Sequence, residues 1–187
     1  MTVNGIDVSS FQNTNFSTSG LEFVFVKATE GTTFVNSKMT AQAAHARSAG
    51  VVVGFYHFMR PGDMKAQARH FVEKCASQEG DPLFADWEVD GISGAEKDAF
   101  LAEVKRLRGD THRVGLYCNR DFWTHRDTTS NAGDALWIAN FTTAGKPGIT
   151  FDWKFHQFSE HPVDQSIGRF ADLAELRHWA DRSAVPA

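Results

Sequence analysis

Short apolar runs alternate with stretches of helical spacing along this chain, and that alternation constrains the fold more than any single motif. Leu21–Ala28 and Val51–Phe58 are rich in Val and Phe and read as buried strands. Gly5–Ser9, the apolar run opening Pro82–Asp90, and Arg113–Cys118 read the same way. Helices are predicted between them. One spans Ser37–Ala49, capped by Ser37 and stopped by Gly50. A second runs from the cap Asp63 to about Gln78, with Ala66, Phe71, Val72 and Cys75 at helical spacing. A third covers Ser93–Leu107, with Phe100, Leu101, Val104 and Leu107 in one stripe, and a short helical stretch follows near Arg120–Thr124. Then the helices thin out. Ala135–Phe141 and Trp153–Phe158 read as strands, with turn residues Gly145, Pro147 and Gly148 between them. Val163-Asp164 opens a last strand, Phe170–Asp181 is a terminal helix, and Ser183–Ala187 is a frayed end. Strand–helix repetition implies parallel strands and an α/β class. The prediction is an irregular TIM-like barrel, with five β/α units followed by three strands with little helix. A complete barrel takes roughly 250 residues; this chain has 187, and the thin last third accounts for the difference. Residues 1–187 are expected to form a single domain.

Several function classes are disfavoured at once. The formal net charge is −4 and no basic run occurs, which argues against nucleic acid as a partner. The apolar stretches fall short of a membrane span, so no membrane insertion is expected. Met1–Ser9 has neither a basic nor an apolar leader region, so no signal peptide is expected and synthesis is placed in the cytoplasm. Cys75 and Cys118 fit no zinc spacing and are read as buried thiols. The histidines form no His-Glu-x-x-His pair: His45, His70 and His178 are predicted to be solvated on helices, and His57 and His156 to be hydrogen-bonded in strands. No metal and no cofactor are expected, and the chain is expected to be a monomer. A Gly-x-Ser-x-Gly elbow and a phosphate-cradling loop are both missing.

What remains is a set of carboxylates. In Asp86-Trp87-Glu88, side-chain alternation sends the two acids to one face and Trp87 to the other. Paired carboxylates at the end of a buried strand cost desolvation and mutual repulsion, which a fold tolerates mainly where the strain is useful. Catalytic groups of a parallel barrel collect at the C-terminal ends of its strands. Those ends here carry Asp7, Glu30, Tyr56 and His57, Asp86 and Glu88, Tyr117 and Asn119, and Asp164. Acids among aromatics suit glycoside hydrolysis, in which one carboxylic acid protonates the leaving oxygen and another carboxylate works on the sugar side. Trp137 is a candidate sugar contact, because its strand ends near the acids.

Seven stretches resemble the glycoside hydrolase family 25 lysozymes, the Chalaropsis-type muramidases common among phage endolysins. They are Gly5–Gln12, Phe25–Gly31, Gly54–Phe58, Asp86–Glu88, Gly115–Tyr117, Leu136–Ala139 and Val163-Asp164, in family order. The resemblance implies hydrolysis of the β-1,4 bond between N-acetylmuramic acid and N-acetylglucosamine in peptidoglycan, in a phage setting. By the same resemblance Glu88 is the general acid, Asp86 the acid assisting at the anomeric side, and Asp7 and Asp164 the remaining acids of the cleft. Tyr56, Tyr117 and Trp137 match substrate-side aromatics. The chain departs from the family pattern at Phe141, where many relatives have Tyr, and at Gln165-Ser166 after Asp164. No cell-wall-binding repeats follow the barrel, so no separate wall-binding domain is expected. The alternatives are a catalytically silent wall-binding module on the same barrel, which would be free to lose the four acids, and a secreted effector muramidase.

Overall fold

A computed structural model of the chain describes residues 1–181; the end predicted to fray at Ser183–Ala187 lies outside them. Nine strands form one sheet: β1 Val3–Val8, β2 Phe23–Glu30, β3 Phe34–Val35, β4 Val52–Phe58, β5 Leu83–Asp86, β6 Val114–Asn119, β7 Leu136–Ala139, β8 Phe155–Ser159 and β9 Gln165–Gly168. The order is β1-β9-β8-β7-β6-β5-β4-β2-β3, and a β1–β2 pairing closes eight of the strands into a barrel. β3 is a two-residue antiparallel ribbon on the end of β2. The pairings from β1 through β2, β4, β5, β6 and β7 to β8 are parallel. Only β9, wedged antiparallel between β8 and β1, breaks the pattern.

Alternation along each strand sorts the apolar residues into two cores. Phe23, Phe25, Phe84, Trp137 and Phe155 fill the barrel interior. Val24, Val26, Leu83, Ala85 and Trp87 face the helices instead. The inner rings fit because small residues face them. A Cβ on Gly54 would lie 2.7 Å from the Phe25 ring, and one on Gly115 would lie 2.7 Å from Phe84 and 2.5 Å from the Ala135 carbonyl. The motif glycines therefore make room for aromatic packing at mid-barrel.

Four α-helices cover part of the wall: α1 Met39–Ser48, α2 Met64–Lys74, α3 Gly94–Arg108 and α4 Leu173–Ala180. Three sequence expectations need correction. No helix lies between β1 and β2, so the first of the five predicted β/α units has no helix. Ser37 does not cap α1; Lys38 holds the N-cap position without a side-chain bond, and Asn36 Oδ1 accepts from the Lys38 amide at 3.0 Å. α2 ends at Lys74, not near Gln78, because Cys75 turns extended. Its buried face is Met64, Gln67, Ala68 and Phe71, rotated from the predicted stripe toward a polar residue that binds inward. Asp63 caps α2, as predicted, accepting from the Lys65 and Ala66 amides. α3 starts with a capping box between Ser93 and Glu96. The stretch after β6 forms a π-helical turn, Phe122–Arg126. Cys75 and Cys118 are free thiols.

Candidate active site

Inward-facing positions toward the C-terminal ends of the strands build the site. On β1, β2, β4, β5, β6, β7 and β8 these are Asp7, Lys27, Tyr56, Asp86, Tyr117, Trp137 and Gln157, all lining one cleft of about 300 Å³. Glu88 and Asp164 complete its wall from just outside β5 and β9. The four acids expected to share one mouth are therefore brought together, and so are Tyr56, Tyr117 and Trp137. Glu30 and His57 are not among the lining residues.

Each acid has a different setting. Asp7 is buried and accepts from Gln157 Nε2 at 2.8 Å, and Gln157 Oε1 in turn accepts from the Tyr117 hydroxyl at 2.8 Å. This chain of bonds aims the Asp7 carboxylate. The backbone binds Asp7 to Asp164 through an amide-to-carbonyl bond of 3.1 Å. Asp86 is 4% exposed, and among the described residues its Oδ1 has no hydrogen-bond partner. A buried carboxylate oxygen left unpaired is costly, and it is free to receive a donor from outside. Glu88 is exposed at the rim.

All four carboxyls are held above their ordinary range. Burial raises Asp7, the charge of Asp164 adds to it, and the Gln157 hydrogen bond works the other way. Burial raises Asp86 too, followed by the charge of Glu88. Glu88 is raised by partial desolvation against the opposing pull of Lys27. Asp164 is raised by desolvation and then by Glu160. Asp7 and Asp86 are displaced well above their ordinary value and Glu88 less so. The reason is depth: the two aspartates lie inside the barrel mouth, and Glu88 stands at its edge.

Lys27 is the cation of the cleft. Its ammonium contacts Glu30 at 2.6 Å and lies 4.5 Å from the centre of the Phe58 ring. The other oxygen of Glu30 takes the Arg60 guanidinium at 2.6 Å, and Arg60 also lies over Phe58, at 4.7 Å. Two cations share one carboxylate, so a unit of positive charge is left beside the acids. Sequence reasoning missed both Lys27 and Gln157; their signal was a polar residue on the inward parity of an otherwise apolar strand.

The aromatics divide. Trp137 is 1% exposed, donates from Nε1 to Ser166 Oγ at 3.1 Å, and packs edge-on against Tyr117 with ring centres 4.5 Å apart. It is the floor of the cleft. Phe11 and Phe141 stand exposed on the rim, at 90% and 53%. Of the histidines, His57 is buried between Thr29 Oγ1 at 2.7 Å and Gln67 Oε1 at 3.2 Å, and burial pushes it down to about 4. His156 bonds the Asn140 carbonyl at 2.8 Å. His45 and His70 are not simply solvated: they bond the carbonyls of Phe16 and Phe34 at 2.7 and 3.0 Å. Among the described residues no cluster of His, Cys, Asp and Glu could hold a metal ion.

A closed barrel with four carboxyls in its mouth is the arrangement of a glycoside hydrolase. The profile of Glycosyl hydrolases family 25 matches residues 6–167, and the chain belongs to that family. It is 33% identical over 179 residues to the N,O-diacetylmuramidase of Chalaropsis sp, covering 82% of this chain and 85% of that one. It is 29% identical over 180 residues to the autolytic lysozyme of Clostridium acetobutylicum, covering 92% of this chain and 55% of the relative's length. The family GH25 lysozyme of Aspergillus fumigatus superposes with a TM-score of 0.80 at 27% identity, over 97% of this chain and 100% of that one.

Proposed function

We propose that the chain is a muramidase, hydrolysing the β-1,4 bond between N-acetylmuramic acid and N-acetylglucosamine in bacterial peptidoglycan. The observation that carries this reading is the convergence of Asp7, Asp86, Glu88 and Asp164 on one cleft. A silent wall-binding relative has no need to keep four mutually repelling acids in place.

In this proposal Glu88 is the general acid. It is the most accessible of the four, as protonation of a bridging oxygen requires. A bound glycan covers the rim and removes water from Glu88, which raises its hold on a proton further. Asp86 offers its unpartnered Oδ1 to the acetamido N–H of the sugar, orienting that group for assistance at the anomeric carbon. Asp7, aimed by Gln157 and Tyr117, and Asp164 place negative charge where the oxocarbenium-like transition state develops positive charge. Tyr56 and Tyr117 form the side walls. The biological setting we propose is a phage endolysin, a reading supported by the motif resemblance; a gene neighbourhood lacking lysis genes argues against it. Product analysis on purified peptidoglycan tests the activity. New reducing ends on muramic acid are expected, and new ends on glucosamine or free amines defeat the assignment.

A further inference from the structure

Beside the acid cleft lies a larger groove, about 690 Å³. It exists because no helix follows β1: residues 9–22 cross the wall as irregular chain and leave a trough between themselves and the β8–β9 turn. The two concavities share a wall. Glu160 and Asp164 of that turn line the cleft, and Phe158, Pro162 and Val163 line the groove. Phe11, 90% exposed, lines both.

The lining of the groove contains no charged side chain. It combines amides and hydroxyls with aromatic and aliphatic surface, and among the described residues the side chains of Asn13, Asn15, Ser17 and Ser19 form no hydrogen bond with the protein. On the far side of the acids the surface differs. A depression of about 490 Å³, joined to the cleft through Glu88, Phe141 and Glu160, carries Arg120, Asp121 and His125. The acids thus sit between an uncharged arm and a charged one.

We propose that the uncharged groove is an accessory saccharide site, which holds the N-acetylhexosamine chain where it leaves the acid cleft over Phe11. The inference rests on the muramidase reading and adds a direction to it. A glycan backbone is neutral and presents hydroxyls, acetamides and apolar ring faces. Unpaired amides and hydroxyls match the first two, and Phe11 and Phe16 match the third. Stem peptides carry carboxylates and amines, and the groove has no countercharge to offer them.

Two measurements test this. In the first, a tetramer of N-acetylglucosamine is titrated into the Glu88→Gln protein and followed by amide chemical shifts. Shifts at Asn15, Ser17 and Ser19 as well as at the cleft are expected; shifts confined to the cleft overturn the groove. In the second, Ser17→Trp plugs the groove at an exposed position away from the acids. Its kcat/KM on polymeric peptidoglycan is expected to fall roughly tenfold, through KM, the scale of one lost sugar contact of about 1.4 kcal/mol. Its kcat/KM on the soluble disaccharide N-acetylmuramyl-β-1,4-N-acetylglucosamine, which carries the scissile bond and no further sugar, is expected to stay at the wild-type value. Equal losses on both substrates, or no loss on the polymer, reject the accessory site. Failure of the wild type to cleave peptidoglycan at all rejects the muramidase reading instead, and the oligosaccharide titration still reports on the groove.

Discussion

Two lysines flank the segment Asp86-Trp87-Glu88, one on each face of the barrel wall, and they do different work. Lys97, on the helix side, is fully buried. Its ammonium meets Asp98 at 2.9 Å, Asp127 at 2.8 Å, Thr129 at 3.0 Å and the Asn131 carbonyl at 2.6 Å, and lies 5.7 Å from the Trp87 ring. Every donor is used, and the charge ties the loop after β6 to α3. Lys27, on the barrel side, keeps its charge in the cleft and lowers the proton affinity of Asp86 and Glu88. A lysine satisfied by its neighbours stabilises structure; one offered to a cavity sets the state of the groups in it. Trp87 sits on the structural side as predicted, fully buried against Phe122 and donating to the Ile92 carbonyl at 3.2 Å.

The contrast can be broken face by face. The largest effect is expected from the barrel face. Glu88→Gln should lose turnover by about 10²–10⁴-fold at unchanged circular dichroism, the usual contribution of general acid catalysis. Wall clearing within about threefold of wild type removes Glu88 from the mechanism.

Next come the helix-face variants. Trp87→Ala should cost about 3–5 kcal/mol, as large core truncations do. Lys97→Met should cost a similar amount, about 3–5 kcal/mol, because it leaves the buried Asp127 carboxylate without its counter-charge. Denaturant unfolding reads both. Either variant with an unchanged unfolding midpoint contradicts the structural role given to that face.

Asp86→Asn should act on both stability and pH profile. A carboxyl raised by burial is neutral in both folded and unfolded protein below its unfolded value, and its penalty grows as pH rises toward the folded value. Removing the ionisable group should therefore raise Tm at pH 7 and change it little at pH 4. It also removes a neighbouring negative charge, so the alkaline limb of kcat/KM should move to lower pH as turnover slows. A limb that stays put or rises means that Asp86 does not raise the affinity of the acid for its proton.

The smallest effect, and the sharpest test of the two lysines, is Lys27→Met. Loss of the cation should move the same limb to higher pH, opposite to Asp86→Asn, because Lys27 lowers both acids. Lys97→Met should leave the limb in place. Matching profiles for the two lysine variants erase the distinction.

Much of this was legible along the chain. Strand parity sent Phe25 inward and Val26 outward and put Asp86 and Glu88 on one side of Trp87, because a period of two is a local property of extended backbone. The site acids were legible for the same reason. The polar partners were less so. Gln157 meets Asp7 across 150 positions of sequence, and no local pattern announces a contact of that span. Helix boundaries failed where tertiary bonds replaced local capping: Asn36, tied to the Lys27 carbonyl and Gln42, accepts from the amide of Lys38, which holds the N-cap position one residue after the predicted cap Ser37.

By itself, the sequence determined the strand count of the barrel, the inward register of its acids and the family to which it belongs, because periodicity and motif order are carried by neighbours in the chain. Three things were decided only in three dimensions. Trp137 became the buried floor of the cleft, since Phe25, Phe84 and Tyr117 pack around it. Burial came to raise Asp7 and Asp86 above the ordinary carboxylate range, since depth in the barrel mouth, not residue type, sets desolvation. The antiparallel β9 was the third: the barrel closes only when that strand fits between β8 and β1, a pairing between the two ends of the chain.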